Sequence, residues 1–167
     1  CSTSEKEGKD DIVNIGINDK NVKQYEEQFS LTNGISFNSY AIIDQKIMII
    51  NGVGKKYENE WLKKVGDILG DQKPVFFLVQ HMEPDSSESI ISLVEKYPEI
   101  TIISSEKSFA LMKLYYNEDF LDHRIIVKDG DTIQLGRHIL HFIEAPMMHW
   151  PEAIATYDSF TKTLFSC

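Results

Sequence analysis

The chain has 167 residues, 42% of them hydrophobic and 26% charged, which suits one globular domain with a core of its own. Seventeen Lys and Arg against 26 Asp and Glu leave a formal charge of −9, and an acidic surface of this kind argues against nucleic acid as a partner. No apolar run approaches the roughly 20 residues of a bilayer span, and no basic-then-apolar leader is present, so a cytoplasmic setting without membrane contact is expected.

The first stretch, residues 1–11, is polar and aperiodic and is expected to be a disordered tail. "IVNIGI" then reads as a short strand, and residues 18–34 as an irregular connection ending in the Asn33-Gly34 turn. "ISFNSYAIID" and "KIMIING", parted by Gln45, predict a hairpin. "ENEWLKKVGDIL" sets Trp61, Leu62, Val65, Ile68 and Leu69 at helical spacing, and "PVFFLVQ" is a strand covered on both faces. "SESIISLVEKY" (Ile90, Ile91, Val94, Tyr97) and "EKSFALMKLYY" (Phe109, Met112, Tyr116) predict two amphipathic helices around the buried strand "EITIIS". From Arg124 the chain turns β-rich, with Asp129-Gly130 and Gly136 as punctuation, and reads as a meander closed by "AIATY" and "TKTLFSC". A hairpin, alternating helices and strands and then a meander predict a mixed α/β (α+β) layer architecture, of the kind half of an αββα sandwich would give.

The candidate chemistry lies in "VQHMEPDSS". His81, Glu83 and Asp85 stand at i, i+2 and i+4, and in extended chain they point to one side, with Pro84 bending them toward a point. An imidazole and two carboxylates suit a first-row divalent metal, and the end of a buried strand is where α/β folds place ligands. A purely structural reading stands beside this one. Asp85 with Glu88 fits a capping box for the following helix, and Ser86 or Ser87 would cap it as well. A second candidate, His149 in "EAPMMHWPE", repeats the pattern of strand, proline-bent loop and histidine; its plain alternative is a half-buried ring beside Trp150. His123, His138 and His141 read as surface or pairing residues.

Other signals point away from chemistry. "NGVG" at 51–54 lacks phosphate-loop spacing and reads as a strand-to-helix turn, and no serine stands in a G-x-S-x-G elbow. Phe76-Phe77 and Tyr115-Tyr116 read as core. Cys1 and Cys167 are the two ends of the chain and form no disulfide framework, which suits a reducing compartment; a lipid anchor on Cys1 is the alternative.

"HMEPDSS" resembles the H-x-E-x-D-H segment of flavodiiron proteins, the oxygen and nitric oxide reductases built on a metallo-β-lactamase-like domain. "NGISFNSYAIID", "KYPEITIISSEKS", "VKDGDTIQLGRHILHFIEAPMMHWPEAIATYD" and "TKTLFSC" are similar to stretches of that domain in the same order. The resemblance runs from Ile12 to Cys167 and is most specific at "EAPMMHWPE". It implies a metallo-β-lactamase-like αββα sandwich over residues 12–167, incomplete at its C-terminus. It further implies that His81, Glu83 and His149 bind one non-haem iron and Asp85 a second. In the family a histidine ligand follows that aspartate; here Ser86 stands in its place, and a hydroxyl is a poor iron ligand. The family's bridging aspartate and last histidine fall beyond Cys167, and its flavodoxin-like FMN domain is absent, so FMN is expected on a partner or a missing domain.

The function expected on these grounds is one of several kinds. One is reduction of O2 to water or NO to N2O at a diiron site, with electrons from a flavin or rubredoxin-type donor and pairing into a homodimer. Another is an oxygen-binding diiron sensor module without turnover, for which the altered position of Ser86 speaks; two irons stand in the family, and one or none is possible here. A metal-dependent hydrolase is a further alternative, although Glu83 replaces the histidine that zinc-hydroxide chemistry uses at that point. A scaffold without metal is the plainest.

Overall fold

Ile, Val and Phe concentrate in runs too short for helices, and these runs become the strands of two packed sheets. The computed structural model describes residues 11–20, 24–25, 29–30, 35–148 and 150–166. The first sheet contains β1 (Ile12–Asn14), β6 (Tyr40–Ile42), β7 (Met48–Ile50), β8 (Phe76–Leu78), β9 (Thr101–Ser104) and β10 (Arg124–Ile126), in the order β1-β6-β7-β8-β9-β10. β1, β6 and β7 are antiparallel, while β7 to β10 run parallel. The second sheet is an antiparallel meander of β11 (Thr132–Gln134), β12 (Ile139–Glu144), β13 (Ile154–Asp158) and β14 (Thr163–Phe165). Two small ribbons join β2 (Ile17–Asp19) to β5 (Ile35–Phe37) and β3 (Gln24–Tyr25) to β4 (Phe29–Ser30).

The parallel strands require crossovers, and helices supply them. They are α1 (Glu58–Leu69), α2 (Pro84–Ser87), α3 (Ile90–Lys96) and α4 (Glu106–Tyr116). Trp61, Val65 and Leu69 of α1, Ile90 and Leu93 of α3, and Phe109 and Met112 of α4 pack on Ile49, Phe77 and Ile102 of the first sheet. The alternate residues of the same strands, Met48, Ile50, Phe76, Leu78 and Ile103, face Leu140, Phe142, Ile154 and Phe165 of the second sheet. The strands of the first sheet are therefore apolar on both faces, as the unbroken run at 75–79 predicts. Three layers result, helices on sheet on sheet. Among the described residues no helix covers the outer face of the second sheet, where Ile143 and Leu164 are exposed.

Several expectations need correction. "IVNIGI" is two strands in different sheets, β1 and β2, and the connection read over 18–34 contains the end of β2 and the paired strands β3 and β4. "ISFNSYAIID" is two strands: β5 leaves with β2, and β6 pairs with both β1 and β7. The break falls at Asn38-Ser39, where Ser39 turns inward, its hydroxyl donating to the Asn51 carbonyl at 2.7 Å and accepting the Trp61 indole N–H at 3.0 Å. The meander begins later than expected, because β10 joins the first sheet parallel to β9 after the α4 crossover. Tyr115, read as core, is exposed, while Tyr116 is half-buried and hydrogen-bonded to Ser87 at 3.1 Å. Burial holds the Tyr116 phenol above its ordinary pKa, although the Ser87 contact works the other way. Residues 1–10 and Cys167 lie outside the described residues, and with them most of the expected tail at 1–11 and the disulfide reading; Asp11, its last residue, is no part of a tail, because its carboxylate accepts from Arg137 at 3.0 Å and lies 2.8 Å from His138 Nε2.

Candidate metal centre

β8 ends at Leu78, and the chain stays buried through Val79, Gln80, His81, Met82 and Glu83 before turning into α2. Gln80 is the anchor of this loop. Its side chain accepts from Asn51 Nδ2 at 2.9 Å and donates to the Phe165 carbonyl at 2.9 Å and to Thr156 Oγ1 at 3.3 Å, while its N–H donates to Asn51 Oδ1 at 3.0 Å. A residue at the exit of the first sheet is thereby bonded to two strands of the second. Asn51 itself holds a left-handed backbone, φ 56°, which asparagine tolerates better than most residues. Every polar atom of the Gln80 side chain is used, so this buried network stabilises rather than costs.

Beyond Gln80, odd residues face a cavity of about 220 Å³ and Met82 faces the core. His81 Nε2 lies 3.6 Å from Glu83 Oε2 and 3.9 Å from Asp85 Oδ1. One donor atom from each of the three falls within 4.8 Å of the others. His81 and Glu83 are buried and Asp85 is partly so. The convergence is reached by a route other than the expected one. Asp85 is not in extended chain; Pro84 starts α2, and Asp85 occupies its first turn. Extended backbone at Glu83 (φ −60°, ψ 137°) followed by the helical turn carries the third donor back toward the first two.

The capping-box reading fails for the same reason. Glu83 is the N-cap of α2, without a side-chain cap bond, and Glu88 turns away to accept the Lys55 N–H at 2.7 Å. The predicted helix over 87–97 breaks at Glu88-Ser89 into α2 and α3. Ser89 Oγ serves the neighbouring loop instead, accepting from Val53 N at 2.9 Å. "NGVG" is thus more than a turn. A Cβ on Gly52 would lie 2.2 Å from Ser89 Oγ and 2.9 Å from the Ser86 carbonyl, so the loop presses directly on the α2–α3 joint.

Ser86, at the altered position, is buried with its hydroxyl 3.3 and 3.4 Å from the two ring nitrogens of His81 and 3.3 Å from the Glu83 carbonyl. It lies against the cluster and adds no strong donor. His149 lies outside the described residues. Its neighbours are placed: Met148 and Trp150 form a β-bridge, and the segment beyond is bonded to the His81 loop through Ile154 N to Gln80 O at 2.9 Å.

Of the remaining histidines, His123 is exposed, and His141 is partly buried, its ring lying against Tyr157. His138 is fully buried, with Nδ1 2.7 Å from Asp158 Oδ2 and Nε2 2.8 Å from Asp11 Oδ2. It is a pairing residue, one of the two roles expected for it. Burial lowers its pKa, but Asp11 and Asp158, with Asp44 nearby, outweigh that and hold it above the ordinary histidine value. Gln80, Asn51 and Gly52 were missed as site residues. A polar residue closing an apolar run was the signal for Gln80; nothing local marks the other two.

The model of the ODP family beta lactamase matches residues 35–167. The chain belongs to this family. Its ODP domain is 31% identical over 145 residues to diflavin flavoprotein A 1 of Synechocystis, covering 86% of this chain and 25% of that protein. It is 31% identical over 150 residues to the nitric oxide reductase of Moorella thermoacetica, covering 89% of this chain and 37% of that one. The crystal structure of the flavodiiron protein of Giardia intestinalis superposes with a TM-score of 0.86 at 28% identity, over 94% of this chain and 38% of that one. The chain spans between a quarter and two-fifths of the length of these relatives. The ODP domain is of the flavodiiron type, and its fold is that of their metallo-β-lactamase-like domains.

Proposed function

We propose that this ODP domain is an iron-dependent oxidoreductase module that acts on O2 or NO and takes electrons from a flavin or rubredoxin-type partner. The convergence of His81, Glu83 and Asp85, in a chain related to a nitric oxide reductase, carries the reading. One imidazole nitrogen and two carboxylate oxygens are a donor set that fits non-haem iron. His81 and Glu83, with His149, would hold one iron, and Asp85 would contribute to a second. Ferrous iron, when bound, would supply electrons and a place for a diatomic gas to bind. The chain supplies the rest: a cavity of about 220 Å³, large enough for O2 or NO, lined by the buried His81 and Glu83 and the partly buried Asp85. That cavity is smaller than the roughly 300–1,000 Å³ of a typical cofactor pocket, so flavin would sit on a partner or a further domain and not in this cavity.

Ser86 favours a second reading, in which the domain binds a gas without turning it over. A neutral hydroxyl where an imidazole would stand weakens the second metal position and the two-metal reduction that needs it. Anaerobic reconstitution with ferrous iron separates the cases. The expected result is iron bound to the wild type and lost in His81→Ala; no iron in either protein would sink the metal reading. Gas consumption by the iron-loaded protein with an NADH-driven flavin donor then distinguishes reductase from sensor.

A further inference from the structure

We infer that Glu152 is a positioning residue for the metal centre: its carboxylate sets the peptide plane between His81 and Met82 and so aims the His81 and Glu83 side chains. Glu152 is 3% exposed, a rare place for a carboxylate, and no ion pair to it occurs among the described residues. Oε1 accepts the Met82 N–H at 2.7 Å, while Oε2 is buried and has no hydrogen-bond partner among the described residues. A carboxylate kept in the interior with half its acceptors idle is costly, and a surface ion pair does not account for it. Its one described side-chain bond goes to the residue between two proposed ligands.

The loop geometry gives that bond its leverage. Met82 packs into the helix-side core, so His81 and Glu83 project oppositely, into the cavity. Its two flanking peptides are both held: the N–H by Glu152 and the carbonyl by Ser87 Oγ at 3.2 Å. Rotation of either peptide swings a neighbouring donor away from the cluster. Glu152 is itself fixed, its carbonyl accepting from Ser105 Oγ at 3.0 Å. Carboxylates that orient ligand-bearing segments are worth about 10–100-fold in metal affinity.

This role rests on the metal reading above, and the test separates the two. Zinc and anaerobic ferrous iron are titrated into the metal-free full chain, and exchange of the Met82 amide is followed without metal. Glu152→Ala should weaken metal binding by about 10–100-fold and speed Met82 exchange. Glu152→Gln keeps an acceptor at Oε1 and should restore both, which general loss of packing would not permit. Should the alanine variant not fold, Glu152→Asp, which withdraws the oxygen by one methylene, should show the same two losses. Wild-type affinity and unchanged Met82 exchange in a folded Ala or Asp variant would overturn the assignment. Absence of metal binding in the wild type would remove the metal reading, while Met82 exchange would still decide whether Glu152 holds the loop.

Discussion

In the proposed metal reading, Ser86 is the residue on which the chemistry of this domain turns. Its hydroxyl lies within 3.4 Å of both ring nitrogens of His81, at the edge of a cavity with room for a larger side chain. Ser86→His should therefore raise bound iron or zinc above the wild-type level, read by metal analysis after desalting; equal metal content would mean that no second position is within reach of this loop. His138 is the other decisive residue, and its role is stability. It sits between Asp11 and Asp158, with Asp44 accepting its backbone N–H at 2.9 Å and Arg137 3.0 Å from Asp11. Its folded pKa is raised above the unfolded value of 6.5, so the protonated ring contributes fully below about pH 6.5. That contribution is lost as pH rises through the folded value. The urea midpoint of the wild type should fall as pH rises above about 6.5 and through the folded value, and His138→Gln should flatten the fall. His138→Ala leaves the fully buried Asp158 carboxylate without its cation and should cost about 3–5 kcal/mol in the same measurement.

At the scale of elements, the joint between α2 and α3 is held by contacts distant in sequence. Gly52 lets its loop approach so closely that a methyl group would meet both Ser89 Oγ and the Ser86 carbonyl. Ser89 cannot simply rotate away, because its hydroxyl holds Val53 N. Gly52→Ala should destabilise by about 1–3 kcal/mol in denaturant unfolding and shift the chemical shifts of residues 83–89. An unchanged midpoint would show that the joint yields at no cost. The element boundaries explain what was readable locally. α1 and α4 were legible because their apolar spacing and, for α4, the Ser105 cap accepting from Ser108 N are properties of neighbouring residues. The break at Glu88-Ser89 was not, because Glu88 and Ser89 are drawn off by Lys55 and Val53.

At the scale of the molecule, the apolar outer face of the second sheet stands out. β12–β14 register puts Ile143, Tyr157 and Leu164 on one side, opposite the inter-sheet core. Ile143 is 42% and Leu164 58% exposed, and among the described residues β14 lies at the edge of its sheet. Edges of this kind template association. Replacing Ile143 and Leu164 with Lys should lower self-association in sedimentation experiments while shifting stability by no more than about 0.5 kcal/mol per site. Unchanged association would place any contact elsewhere.

The sequence by itself determined the two-faced strands, the main helices and the candidate donors His81, Glu83 and Asp85, because periodicity and motif spacing are local. The tertiary structure alone decided that β10 crosses into the first sheet, that Asp85 reaches the cluster from a helix turn, and that Gln80, Asn51, Gly52 and Glu152 support the loop. Those supports bond across 29 to 85 positions of chain, for Asn51 to Gln80, Met82 to Glu152 and Gln80 to Phe165. Only the packing of two sheets brings such partners within hydrogen-bond distance, and no local pattern records it.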